Sequence, residues 1–219
     1  MKRALLLILI FVSTGVVAQN NYMGKNDPEA TALLKRVSAR YKNFRTLQAN
    51  ISLVVENAQG KKLTSQTGEL FLKGNKYYLR FNGNTSFSDG SNIYNYDKSA
   101  GEIQITKINP KDNTLTPQRL FTDFYQKDYL YKLNDDIVKN GRIVQEVELT
   151  PLDKTQPYFK VLLEIDKATR NITGARIFEK AGNRYLYTIS SSKPNASIAD
   201  SKFVYNKKDF PGAEVIDLR

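Results

Sequence analysis

The chain has 219 residues, with 33 Lys and Arg against 22 Asp and Glu for a net charge of +11, and contains neither His nor Cys. That composition excludes disulfide staples, Ser-His-Asp and Cys-His nucleophilic machinery and the usual zinc ligand sets. Trp is also missing, which disfavours sugar recognition by stacking, and no Gly-x-Gly-x-x-Gly, P-loop or nucleophile elbow occurs. We therefore assign no catalytic residue, no metal ligand and no cofactor. The length suits one β-rich domain with a sizeable core. The basic surplus favours anionic partners such as phospholipid headgroups or acidic proteins. Its Lys residues are scattered along the chain without a run of five cations, so nucleic acid is not expected as a partner.

Met1-Lys2-Arg3 forms a basic n-region, Ala4 to Val12 an apolar h-region, and Val16-Val17-Ala18 a small-residue cleavage site. Residues 1–18 read as a cleaved signal peptide, 19–26 as a flexible leader and 27–219 as a single domain. No Cys follows the apolar run, so the chain has no site for lipoprotein acylation. Export without cysteines fits a bacterial periplasm.

Asp27-Pro28-Glu29 opens a helix, with Asp27 as N-cap, Pro28 in the first position and Glu29 at the positive dipole end. Leu33, Leu34, Val37 and Tyr41 form its apolar face, and it ends near Asn43-Phe44. From Leu47 the period becomes two. Leu47, Ala49, Ile51, Leu53 and Val55 share one face of a long strand that turns at Ala58-Gln59-Gly60-Lys61. Gly68 to Phe81 holds two strands joined at Gly74-Asn75, Asp89-Gly90 makes a second turn, and Ile93 to Asp97 makes a third strand. Glu102 to Thr106 alternates again.

Beyond the loop at Asn109 to Asn113, Thr116-Pro117 precedes a helical segment from Gln118 to Lys127. It carries Leu120, Phe121, Phe124 and Tyr125 on one face, as ordinary core or as a lid over the sheet. Strands at Ile143 to Thr150, Tyr158 to Asp166, Ile172 to Glu179 and Arg184 to Ser190 form an antiparallel meander. Ala196 to Ser201 reads as a short turn or a helical step, and Phe203-Val204-Tyr205 as the last strand. Glu69, Asp89, Asp97 and Glu102 are the carboxylates from which a glycosidase-like pair would have to be drawn, though each suits a turn or an outward strand position. Asp135-Asp136, Asp153 and Asp166 lack the periodicity of a calcium loop and read as turn residues.

The strands Gly68-Glu69-Leu70-Phe71-Leu72 and Tyr77-Tyr78-Leu79-Arg80-Phe81 carry large apolar groups on both faces, so both faces need cover, by another element or by an apolar ligand. The ordered set of Gly-Glu-Leu-Phe, an aromatic strand, Ser88-Asp89-Gly90, Leu115-Thr116-Pro117 and the ending Asp200-Ser201-Lys202-Phe203-Val204-Tyr205 with Pro211-Gly212-Ala213-Glu214-Val215 resembles the periplasmic outer-membrane lipoprotein carrier family, the LolA-like proteins. The resemblance implies a mainly β (α+β) fold. Its form would be an unclosed, strongly curved antiparallel β-barrel with an N-terminal helix and short lid helices over a hydrophobic cavity.

It further implies a monomeric periplasmic carrier, not an enzyme, that shields the acyl chains of lipoproteins between the inner and outer membranes. Its partners would be acylated lipoproteins, an inner-membrane lipoprotein-release complex, an outer-membrane acceptor and, transiently, an anionic membrane. The candidate acyl-chain residues are Phe71, Tyr78, Leu79, Phe81, Tyr94 and Tyr96 on the sheet and Leu120, Phe121 and Phe124 on the lid. Strand alternation allows only about half of the sheet residues to point inward. Many family members carry Lys-Arg-Pro after the Gly-Asp/Glu-Leu strand, and that Arg latches the lid. Here Lys73-Gly74-Asn75 stands in its place, leaving Arg80 as the candidate latch if it faces inward. The alternative is a lipid- or lipoprotein-sensing envelope module built on the same cavity.

Overall fold

The computed structural model describes residues 24–109, 121 and 128–219. The expectations placed on the signal segment, on Thr116-Pro117, and on Leu120 and Phe124 lie outside these residues.

Helix α1 (Pro28–Lys42) begins where the cap residues require. The Asp27 carboxylate accepts from the Glu29 amide at 2.8 Å and the Ala30 amide at 3.4 Å, and Pro28 fills the first turn where no N–H is needed. The second carboxylate oxygen of Asp27 accepts from the Leu133 amide at 3.0 Å, so the same buried side chain caps the helix and pins it to a strand. Ala30, Leu33, Leu34, Val37 and Tyr41 form the buried stripe.

Thirteen strands follow among the described residues, first β1 (Thr46–Glu56), β2 (Lys62–Lys73), β3 (Lys76–Phe81), β4 (Asn84–Ser88), β5 (Asn92–Asp97) and β6 (Glu102–Lys107). Then come β7 (Tyr129–Leu133), β8 (Ile137–Lys139), β9 (Arg142–Pro151), β10 (Tyr158–Asp166), β11 (Ile172–Glu179), β12 (Arg184–Pro194) and β13 (Glu214–Asp217). They make one sheet in the order β13-β6-β5-β4-β3-β2-β1-β12-β11-β10-β9-β7, with β8 also paired to β9. The chain folds as two antiparallel meanders joined where β1 pairs with β12, and the sheet curves without closing.

The inner face wraps α1. Leu47, Ala49 and Ile51 of β1, Leu70 and Leu72 of β2, Val161, Leu163 and Ile165 of β10 and Ile172 and Ala175 of β11 share one buried cluster with the helix stripe and Phe121. Burial of these aliphatic and aromatic groups, at roughly 25 cal/mol per Å² of apolar surface, is the main favourable contribution to the fold.

Several elements differ from the sequence reading. The stretch after Phe81 holds a further strand, β4, because Asn82 and Gly83 both take positive φ (47° and 92°) and close a two-residue hairpin. Strands β7 and β8 are likewise additional. The expected last strand at Phe203-Val204-Tyr205 is instead a 3-10 turn at Asp200–Phe203 followed by irregular chain. Phe203 is fully buried there, and the Asp200 carboxylate holds the turn to the sheet through Lys73 (3.1 Å) and Lys76 (3.3 Å). The final strand is β13, which runs parallel to β6.

Glu164 is 5% exposed on the outer face, and Lys139 at the end of β8 reaches it at 2.6 Å. A buried carboxylate without such a partner would be strongly destabilising, and the Lys139 side chain supplies that partner by reaching across β9 from β8.

Replacing Asp27 by Ala removes the helix cap and strands the Leu133 amide. We expect a loss of about 2–4 kcal/mol of unfolding free energy in urea titrations, against ~1 kcal/mol for an ordinary exposed cap.

Candidate functional site

Register decides which of the aromatic side chains face α1. In β2 and β3 the pairs Gly68↔Phe81, Leu70↔Leu79 and Leu72↔Tyr77 occupy one face, and Glu69↔Arg80 and Phe71↔Tyr78 the other. Leu70, Leu72 and Tyr77 lie in the cluster around the helix, with Leu79 and Phe81 packed against it, so theirs is the inner face.

Phe71, Tyr78, Tyr94 and Tyr96 therefore point outward. Phe87, Tyr94, Ile103, Ile105 and Phe210 make a second buried cluster, joined by Tyr78, Tyr96, Tyr205 and Ala213. Phe87 stacks on Tyr94 with centroids 4.7 Å apart and on Phe210 at 5.8 Å, and Tyr205 stacks on Tyr94 at 5.6 Å. The Lys202 ammonium sits 4.4 Å from the Phe71 ring centroid and 4.3 Å from that of Tyr78. The second apolar face is thus covered by the C-terminal segment, and four of the six sheet candidates belong to that layer. Leu79 and Phe81 remain on the inner face, and Phe121 lies in the same cluster, its ring 5.0 Å from that of Tyr41.

Arg80 also points outward. It is half exposed and pairs with Glu69 across the strands at 2.6 Å, so it does not reach the helix side. Gly74, where the family's Arg would stand, takes φ +57° in the β2–β3 turn, which suits glycine. Three of the four carboxylates considered for catalysis, Glu69, Asp89 and Asp97, are engaged locally. Asp89 accepts from the Ser91 and Asn92 amides, both at 2.7 Å, and from the Tyr94 hydroxyl at 2.9 Å. Partial burial works against its ionisation, but the hydrogen bonds from Asn92, Ser91 and Tyr94 outweigh it and hold the carboxyl below its usual range. Asp97 caps the turn to Ser99 and Ala100. No cluster able to hold a metal ion occurs among the described residues.

Among the described residues, helix α1 packs at one end of the inner face. Its C-terminal half is tied to the β10–β11 turn, where the Tyr41 hydroxyl accepts from the Ile172 amide at 2.9 Å and the Arg40 Nε donates to Asn171 at 3.0 Å. At the opposite end of the same strands, the inner positions are only half-buried and mostly apolar, with Gln66 and Thr64 of β2 as the polar exceptions beside Leu53 and Val55. Leu53 and Val55 of β1 face Tyr187 and Tyr185 of β12, Ile177 follows on β11, and Phe81 ends β3. The Phe81 and Tyr187 rings lie 6.4 Å apart, on either side of the β1–β2 pair. Together these side chains make a continuous apolar strip that runs out from the core.

Gly68 makes room for this strip. A Cβ there would meet the Arg80 carbonyl oxygen at 2.2 Å and the Phe81 ring at 2.6 Å, so the ring lies across the glycine. The Tyr187 pKa is pushed up to about 12 from the ordinary 10.0, by burial first and by the neighbouring Tyr185 and Glu179 second. The strip is legible in the period-two pattern of Leu47 to Val55. Its Tyr185, Tyr187 and Ile177 members are missing from the sequence-based candidates because the aromatic-rich β3–β5 segment carries the stronger compositional signal.

The model of the family described as "Outer membrane lipoprotein carrier protein LolA" matches residues 42–206. The chain belongs to that family. Among solved structures, an uncharacterized conserved protein from Thermus thermophilus superposes with a TM-score of 0.57 at 12% identity, covering 86% of this chain and 99% of that one. A DUF1329 family protein from Desulfovibrio piger gives 0.48 at 13% identity, with 84% and 98% covered. A LolA superfamily protein from Nitrosomonas europaea gives 0.43 at 13%, with 80% and 97% covered. No curated protein sequence matches the chain. The Thermus likeness establishes the shared fold, and the match to the family model establishes membership.

Two outcomes test this geometry. Gly68→Ala should destabilise by about 1–3 kcal/mol and disturb the Phe81 environment, seen in thermal melts and in aromatic NMR shifts. In alkaline titration followed by tyrosinate absorbance, Tyr187→Phe should remove a component ionising near pH 12. Because folding raises this pKa, its contribution to stability is complete below pH 10 and is lost as pH rises through about 12.

Proposed function

We propose that the protein is a non-catalytic periplasmic carrier that takes up the acyl chains of lipoproteins on the inner face of its sheet and shuttles them toward the outer membrane. The observation that carries this reading is the half-buried apolar strip of Leu53, Val55, Phe81, Ile177, Tyr185 and Tyr187, open beyond the end that α1 fills, in a member of a lipoprotein-carrier family. Each methylene removed from water is worth roughly 0.8 kcal/mol, so alkyl chains would be held by area alone, without specific chemistry. Residues 1–18 would direct export and be removed, and the carrier would work as a monomer. It would receive cargo from an inner-membrane release complex and pass it to an outer-membrane acceptor.

The site residues of this proposal are Leu79, Phe81 and Phe121 from the first set, with Leu53, Val55, Ile177, Tyr185 and Tyr187 added. Phe71, Tyr78, Tyr94 and Tyr96 serve the outer layer instead. Lid closure is proposed to rest on apolar packing, since Arg80 faces away.

Incubation of the mature protein with vesicles carrying labelled lipoproteins and an active release complex should yield a soluble one-to-one complex. Its absence overturns the proposal. Leu53→Asp should weaken binding of a fluorescent fatty-acid analogue at least tenfold, whereas Arg80→Leu should leave it within about threefold. An Arg80→Leu variant that loses binding would make Arg80 part of the latch after all.

A further inference from the structure

The end of the barrel at which the apolar strip opens is bounded by three turns that are bonded to one another. Arg184 donates to the Ala58 carbonyl at 2.7 Å, joining the β11–β12 turn to the β1–β2 turn. Lys180 donates to the Lys154 carbonyl, joining the β11–β12 turn to the β9–β10 turn, and Lys154 closes its own turn through the Pro151 carbonyl at 2.9 Å. The result is a fixed arc from β10 to β2, spanning four strand spacings of ~4.8 Å, or about 19 Å.

The charge on this arc is lopsided. Lys61, Lys62, Lys154, Lys160, Lys180 and Arg184 stand against three carboxylates, Glu56, Asp153 and Glu179. None of the six cations enters an ion pair among the described residues. At the opposite end of the sheet, Lys73, Lys76, Lys139, Arg142 and Lys167 are paired with carboxylates, while Arg45, Arg170 and Lys193 are not in an ion pair among the described residues.

Apolar groups are exposed between these cations. Phe159 is 48% and Leu63 57% exposed, each at a register irregularity that turns it outward at the rim. Phe159 lies 6.1 Å from Phe178, whose ring is flanked by the Lys160 ammonium at 4.8 Å and the Arg184 guanidinium carbon at 5.8 Å. An aromatic body with a cationic tip on either side suits the boundary between headgroups and acyl chains.

We infer that this arc is a docking surface for anionic phospholipid bilayers, which would present the open end of the apolar strip to the membrane. The inference rests on the carrier reading for its purpose, but the surface stands on its own charge and exposure. The bilayer is favoured as occupant because the unpaired cations form one curved rim at the mouth of an apolar strip, with apolar side chains interspersed.

Flotation of the mature protein with vesicles of phosphatidylcholine alone, or phosphatidylcholine with phosphatidylglycerol, tests it. Binding should require phosphatidylglycerol and fall steeply with added salt. The double variant Lys160→Glu with Arg184→Glu should lose at least ~25-fold, at about fivefold per cation removed. Phe159→Ser should lose severalfold, and Val138→Ser, which alters an exposed residue at the far end, should lose nothing. Fatty-acid-analogue binding measured without vesicles should be unchanged in all of them, and thermal melts should confirm folding. Equal binding to both vesicle types, no loss on charge reversal, or the same loss in Val138→Ser would overturn the docking surface and leave the carrier reading in place. Loss of analogue binding in the wild-type protein would overturn the carrier reading and leave the docking surface in place.

Discussion

A long curved sheet has two faces to cover, apolar groups stand on both, and the architecture of the described residues follows from that constraint. The strands of β2 and β3 present apolar groups on both sides, because Leu70, Leu72 and Tyr77 alternate with Phe71 and Tyr78. Helix α1 is short, so it can plug only part of the inner face. The outer face is covered by the chain after β12, which surrenders regular structure to lay Phe203, Tyr205 and Phe210 over the β3–β6 arm before β13 seals its edge. Irregular backbone is tolerated there because side chains and local turns satisfy its polar groups, as the Asn206 side chain does for Lys208.

The same division of labour separates stability from function. The outer aromatic layer is closely stacked and lies away from the strip, so it behaves as a second core. The inner face is graded instead. It is fully buried around Tyr41, Val161 and Leu163, then half-buried toward Phe81 and Tyr187. A surface that is apolar yet incompletely covered retains free energy that a ligand can gain by covering it, and such surfaces mark interaction sites. The polar rim beyond it carries cations outside any ion pair among the described residues, whereas the opposite end includes the pairs Lys139–Glu164 and Arg142–Asp166.

Arg80 shows how a latch can be absent while its fold persists. With Glu69 opposite it at 2.6 Å, the guanidinium is held in an exposed cross-strand pair, which contributes little to stability and nothing to the inner face. A buried Arg network would make opening an all-or-none event, since its hydrogen-bond acceptors would be lost together. Apolar packing around Phe121 and Tyr41 has no such threshold. Under the proposed carrier reading, this chain would keep the family's sheet without an Arg latch at Arg80.

The local physics was readable in the sequence: the Asp27-Pro28 start of α1, the period-two runs of β1, β6 and β9 to β12, the turn at Gly74-Asn75, and the ordered motifs that mark the family. These depend on neighbours in the chain, on cap geometry, alternation and φ at glycine, and each is fixed within a few residues. The tertiary structure alone decided which side of β3 to β5 is inner, that Phe203 belongs to a covering turn and not to a strand, and that β13 runs parallel to β6. Strand alternation divides residues into two sets without naming either as inside, because a slip of one residue exchanges them. Only pairing across the sheet, Phe71 with Tyr78 and Gly68 with Phe81, and the choice of cover for each side settle the assignment.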